Sequence, residues 1–189
     1  MKFILASKSP RRKEILNKIN LKFKIIPSTI DESKISTKIN PIGYCTKLAE
    51  LKAQDISSQY HDYTVIGADT IVVIKNTILN KPNNYNEAFD MLKTLSNNTH
   101  EVITGVALKN RSLNINYRFH DITNVTFYKL SHNDISKYIN NYNPLDKSGS
   151  YGIQDGSALF VKEIKGSYDN IVGFPISKFH QFLKKNKYI

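Results

Sequence analysis

The residues best suited to chemistry are Ser7, Lys8, Ser9, Pro10, Arg11 and Arg12, followed by Asp31-Glu32 and then Gly67-Ala68-Asp69-Thr70. The first run follows a short apolar stretch and opens a helix, because Ser9 is a favourable N-cap and Pro10 suits the first helical position. A helix N-terminus has unpaired N–H groups and a partial positive charge, so two arginines in its first turn meet an unfavourable field. A bound polyanion relieves this: backbone N–H groups, hydroxyls and guanidinium forks all donate to phosphate oxygens. The purely structural alternative is that both arginines are solvated or pair with nearby acids. Asp69 lies inside TVIGADTIVVI, residues 64–74, a β-branched run typical of a strand buried on both faces. A carboxylate there is costly unless it is paired or binds metal; tying down a neighbouring loop is the structural alternative. Regular alternation puts Thr70 on the face opposite Asp69 unless the strand bends at Gly67. Asp31 and Glu32 read alone are a solvated pair before a polar loop. Beside Asp69 they would add the carboxylate oxygens that a hard divalent cation takes.

Other residues carry weaker signals. Lys52, on a helical stretch, and Lys81, before Pro82, read as surface lysines in a lysine-rich chain. Five of the eight glycines fall between residues 149 and 173, where backbone can turn tightly or approach a ligand. Within that region Gln154 offers a paired donor and acceptor suited to a base edge. The five histidines show no metal-site spacing. Cys45, the only cysteine, reads as a small packed residue; it excludes an internal disulfide and fits a reducing compartment.

The elements that must position these residues follow from periodicity and caps. Strands are expected over 2–6, Leu21–Pro27, Thr64–Ile74, Val102–Lys109, Ile115–Tyr128 and Ala158–Ile164. Helices are expected from Pro10, over Pro41 to about Ile56, and over Asn84–Leu95, Ser131–Asn141 and Pro175–Leu183. Thr29–Asn40 and Asn143–Gly156 read as loops, and Asn76-Thr77 as a turn. Strands and helices alternate, but adjacent strands also occur, which gives an α/β fold with a mixed sheet. No apolar run reaches 18 residues, so no membrane span is expected. Lys plus Arg is 27 against 16 acids, a net charge of +11. Only four of the basic residues are arginines, so most of the excess reads as a lysine-biased surface.

The ordered runs LASKSPRRKEIL, Asp31-Glu32, KLAELKA, VIGADTIVV, LNKP, HEVITGVAL and DKSGSYGIQDGSALFVKEIKGSYDNIVGFP resemble the Maf family of nucleoside triphosphate pyrophosphatases. The resemblance spans residue 4 to about 183. It implies one Maf-like domain over 1–189, with a mixed twisted sheet, flanking helices and two lobes around a cleft, as in inosine triphosphatases. It also implies cytoplasmic, divalent-metal-dependent (Mg²⁺ or Mn²⁺) cleavage of a nucleoside triphosphate to monophosphate and pyrophosphate, and is compatible with a homodimer.

Carried over by position, the resemblance makes Asp69 the proton acceptor and sets Ser7, Arg11, Arg12, Glu32, Lys52 and Lys81 at the other polar positions of the family's cleft; the mechanism expected from these residue types has Glu32 and Asp69 as the metal ligands. In the same expected mechanism Ser7, Arg12, Lys52 and Lys81 bind the phosphates. Arg11, Thr70 and Gln154 match the specificity positions of the dTTP/UTP subgroup; the 7-methyl-GTP subgroup departs at YGIQ. Lys8, Ser148 and Phe174 stand where glycine, alanine and leucine are common. A basic nucleic-acid-binding module is the rival class, supported by the C-terminal KFHQFLKKNKYI. A partner-binding protein without activity is a second rival, opposed by the complete set of polar positions.

Overall fold

The computed structural model describes residues 1–35 and 40–188, so part of the expected loop Thr29–Asn40 lies outside the described residues. Along the chain run β1 (Phe3–Leu5), α1 (Pro10–Asn17), β2 (Phe23–Ile25), α2 (Pro41–Ser57), β3 (Thr64–Ile74), β4 (Thr77–Leu79) and α3 (Tyr85–Leu95). They are followed by β5 (Thr99–Asn110), β6 (Ile115–Phe127), α4 (His132–Tyr142), β7 (Val161–Lys165), α5 (Tyr168–Val172) and α6 (Ile176–Lys185). The seven strands form one sheet in the order β2-β1-β3-β5-β6-β7, with β4 beside β3. β1 pairs in parallel with β2 and β3, while β3–β4 and β6–β7 are antiparallel, so the sheet is mixed as expected.

The chain divides into two compact units. The first holds Met1–Thr70, Thr104–Asp121 and Gly173–Ile189; the second holds Ile71–Ile103 and Ile122–Val172. In the first unit, Ile4, Ala6, Ala49, Ala53, Ile56, Val65 and Ala107 form a buried cluster. Small residues bring α2 unusually close to the strands. A Cβ at Gly67 would collide with the Ala49 carbonyl and stand 2.7 Å from the Ala53 nitrogen, and one at Gly105 would stand 2.8 Å from the Cys45 carbonyl oxygen. This close approach lets short side chains of α2 reach strand backbone.

In the second unit, helix starts follow their sequence signals. Asn84 caps α3 by accepting from Glu87 N–H, and Ser131 with Asp134 makes the capping box of α4. The expected turn at Asn76-Thr77 is displaced by one residue. Lys75 and Asn76 hold the left-handed backbone, and Thr77 already begins β4. The strand expected from Ala158 starts only at Val161, because Gly156–Phe160 winds as a 3₁₀ turn capped by Asp155, whose side chain accepts from Ser157 N–H. The short helix α5 lies where the sequence shows mainly turn residues.

Candidate active site

Asp69 sits within β3 and is 8% exposed, so its charge needs a partner. The partner comes from α2: Lys52 Nζ donates to Asp69 Oδ1 at 2.6 Å. The same ammonium lies 2.9 Å from Glu32 Oε1, in the 3₁₀ turn Glu32–Lys34. One buried cation thus joins two carboxylates that are 37 residues apart in the chain. Lys52 itself is 8% exposed, against the surface position that composition alone suggests. Nothing in the lysine content separates it from the others; its place on the inward face of α2, in register with Leu48 and Ala49, does. Asp31 takes the outer role, 3.6 Å from Lys34 Nζ at the surface.

The second cluster surrounds Arg12. Ser9 caps α1 by accepting from Arg12 N–H, which confirms the expected helix start. The Arg12 guanidinium then donates from all three nitrogens: Nε to the Gly173 carbonyl at 3.0 Å, Nη1 to Ser7 Oγ at 3.1 Å and Nη2 to Thr70 Oγ1 at 3.2 Å. Thr70 Oγ1 is also 3.0 Å from Thr104 Oγ1. Three neutral acceptors orient Arg12, and no carboxylate among the described residues pairs with it. Burial pushes the guanidinium down from its ordinary pKa, opposed by the charge of Asp69. The result is a fixed cation that pairs with no anion among the described residues. Arg11, beside it, is half-buried with no hydrogen-bond partner among the described residues.

The expected alternation along β3 is borne out. Asp69 meets Lys52 of α2, whereas Thr70 meets Arg12 of α1. The Cys45 thiol of α2 links the strand backbones, donating to the Asp69 carbonyl at 3.2 Å and accepting from Gly105 N–H at 3.1 Å. Burial, and then the charge of Asp69, push this thiol's pKa upward, so it is a packed, protonated group and not a nucleophile.

Lys81 and Gln154 lie in the second unit, both exposed. Ser148, where alanine is common in the resembling family, makes two local bonds: it donates to the Leu79 carbonyl at 2.6 Å and accepts from Val72 N–H at 3.1 Å. Phe174 is fully buried and meets Phe179 edge-on. The aromatic residues of the C-terminal run are also engaged: Phe179 is buried, and Phe182 stacks on Tyr117 with ring centroids 4.0 Å apart. They offer little to a nucleic-acid base.

Sequence reasoning did not find Thr104, the Gly173 carbonyl or Tyr44. Thr104 is polar within an apolar strand run, a signal of the same kind that marked Asp69. A backbone carbonyl has no residue-type signal at all. Tyr44 reads as an apolar helix-face residue, yet burial first, then the charges of Asp69 and Glu32, raise its pKa.

With this geometry in place, the chain can be set beside known proteins. The family model described as "Maf-like protein" matches residues 2–186. The chain belongs to the Maf family. Among its Maf relatives, a protein of Clostridioides difficile named dTTP/UTP pyrophosphatase is 46% identical over 185 residues, 98% of this chain and 95% of that one. One of the same name from Alkaliphilus metalliredigens is 45% identical over 189 residues, 100% of this chain and 97% of that one. Among solved structures, the Ham1 protein of Staphylococcus aureus superposes with a TM-score of 0.56 at 12% identity, covering 98% of this chain and 100% of that one. A HAM1 protein of Coxiella burnetii gives 0.53 at 14%, covering 98% and 99%. At such identities the structural matches establish the α/β fold alone. No helix among the described residues is long and apolar enough to cross a membrane.

Proposed function

We propose that this Maf protein hydrolyses dTTP and UTP to the nucleoside monophosphate and pyrophosphate, acting as one domain over 1–189 in the cytoplasm. The observation that carries this reading is the 46% identity, over 98% of the chain, to a relative named for that activity. The residue clusters supply a chemistry consistent with it. Asp69 orients the attacking water and accepts its proton at the α-phosphorus. Lys52 and Arg12, both held in place before substrate arrives, bind the charged phosphate oxygens, and Lys81 adds a third cation. Ser7 and the first N–H groups of α1 donate to the same oxygens. Gln154 pairs with the O4/N3 edge of the pyrimidine and Arg11 lines the base pocket. Thr70 contributes by fixing Arg12.

In this reading Glu32 and Asp69 are the residues that would hold a magnesium or manganese ion. They already share one positive charge at Lys52, and no group of three or more metal-binding side chains occurs among the described residues. A hard cation held by two carboxylates would need further oxygen ligands from outside the chain. Such an ion would supply charge neutralisation on the triphosphate.

The test is pyrophosphate release from a panel of nucleoside triphosphates with Mg²⁺ or Mn²⁺, for the parent and Asp69→Asn. Turnover confined to dTTP and UTP, and lost by on the order of a thousandfold in Asp69→Asn, is expected. A preference for 7-methyl-GTP, or a fully active Asp69→Asn, refutes the reading.

A further inference from the structure

Gln154 is the exposed residue of the segment 151–157, whose other residues are buried or half-buried. Tyr151 is buried, its ring packed edge-on against Phe127 and its hydroxyl 2.8 Å from His100 Nε2. Gly152 N–H donates to Tyr138 Oη at 3.1 Å, and Tyr138 Oη donates in turn to Asp155 Oδ1 at 3.0 Å. Asp155 Oδ1 also accepts from Ser157 N–H at 3.1 Å, and Ser157 Oγ donates to the Gly152 carbonyl at 2.7 Å. One helical turn beyond Tyr138, the ring of Tyr142 lies so close over Gly156 that a Cβ there would collide with it. Tyr138 and Tyr142 stack on each other with centroids 5.3 Å apart, and Tyr138 packs edge-on against Phe160. Within the turn the Gly152 carbonyl also accepts from Asp155 N–H at 3.0 Å, and the Tyr138 hydroxyl ties both sides, Gly152 before Gln154 and Asp155 after it, to α4. All these groups belong to the second unit.

We infer that Tyr138 is a positioning residue for substrate selection: through its hydroxyl, α4 holds the Gly152–Ser157 turn so that Gln154 meets the pyrimidine edge in one orientation. The inference rests on the proposed role of Gln154 as the base-reading residue. A glutamine on a loose turn keeps its hydrogen-bonding groups but must be ordered on binding, which weakens affinity without changing bond-breaking. Tyr138 touches neither the phosphates nor the reacting atoms in this scheme, so its effect falls on selectivity.

The experiment compares Tyr138→Phe, Asp155→Ala and Gln154→Ala with the parent. Tyr138→Phe keeps the ring packing and removes only the shared hydroxyl. Asp155→Ala removes the bonds to Tyr138 and Ser157 from the other side. Kinetics on dTTP, UTP and 7-methyl-GTP are combined with hydrogen exchange of the 152–157 amides. Both positioning variants should raise KM for dTTP and UTP about tenfold with kcat nearly kept, and shrink the pyrimidine preference towards that of Gln154→Ala. The 152–157 amides should exchange at least about tenfold faster, while the α3 amides stay protected. Unchanged exchange in both variants, or an unchanged preference where Gln154→Ala alters it, overturns the role of Tyr138 and leaves that of Gln154 intact. An unchanged preference in Gln154→Ala overturns the base-reading role and this inference with it.

Discussion

Replacing Lys52 with methionine removes the ammonium while keeping most of the side-chain volume, and its cost can be worked out from the two partners. The Lys52 and Asp69 side chains are 10% and 11% exposed, with 2.6 Å between charged atoms. Glu32 is 44% exposed and 2.9 Å from the same ammonium. Losing one member of a buried pair strands the other and costs about 3–5 kcal/mol. Losing a partly exposed partner costs about 1 kcal/mol or less. Lys52→Met should therefore destabilise the fold by about 3 kcal/mol, and Glu32→Gln by less than about 1 kcal/mol. Asp69→Asn leaves the ammonium with Glu32 alone, a loss of about 2 kcal/mol. The double variant Lys52→Met/Asp69→Asn strands no buried charge, so its loss should fall short of the sum of the two single losses by about 2 kcal/mol or more. Urea unfolding followed by circular dichroism reads these differences as shifts in midpoint at constant slope. In 1 M NaCl the small Glu32 contribution should vanish, while the Lys52–Asp69 coupling persists. Additivity of the Lys52 and Asp69 variants within about 0.5 kcal/mol would refute the coupling of this buried pair.

Further outcomes follow from other contacts. Burial holds His100 down to about 4 from an ordinary 6.5, so between those values the unfolded chain binds more protons, and stability is lost as pH falls from 6.5 towards 4. The loss is on the order of 3 kcal/mol, and His100→Gln should flatten it; equal acid slopes in thermal melts of both proteins would disprove this. Gly67→Ala forces α2 away from β3 and should cost about 3 kcal/mol, roughly 10 °C in Tm, with loss of activity; an unchanged calorimetric Tm would contradict the close approach. Arg12→Lys cannot reproduce three divergent donors. It should lower kcat/KM for dTTP by on the order of a hundredfold with little change in Tm, whereas near-parental kcat/KM would show that the fork geometry is dispensable.

Much of this was legible from residue types. The β-branched run around Asp69 gave β3 its observed bounds, Thr64–Ile74, because strand propensity and burial on both faces pointed the same way. Ser9-Pro10 and Ser131-Asp134 marked their helix starts because caps are local chemistry. The C-terminal third was read less well. Gly156–Phe160 carries apolar residues that suit a strand, yet the Asp155 cap and the packing of Phe160 turn it into a 3₁₀ segment. Lys52 shows the same limit at the site: its partners are set by how closely Ala49, Ala53 and Gly67 let α2 approach, a tertiary distance that composition does not encode.

The tether of Arg12 also sets an order of assembly. Arg12 and its cap lie near the start of the chain, whereas the carbonyl that accepts from its Nε belongs to Gly173, 161 residues later. At ordinary rates of synthesis that carbonyl emerges roughly 10–30 s after the arginine. Until then the nascent chain carries a guanidinium already placed by a local helix but short of one of its three acceptors. The three-point tether of Arg12 is therefore a late, long-range product of folding, although the helix that carries the arginine is built from local signals.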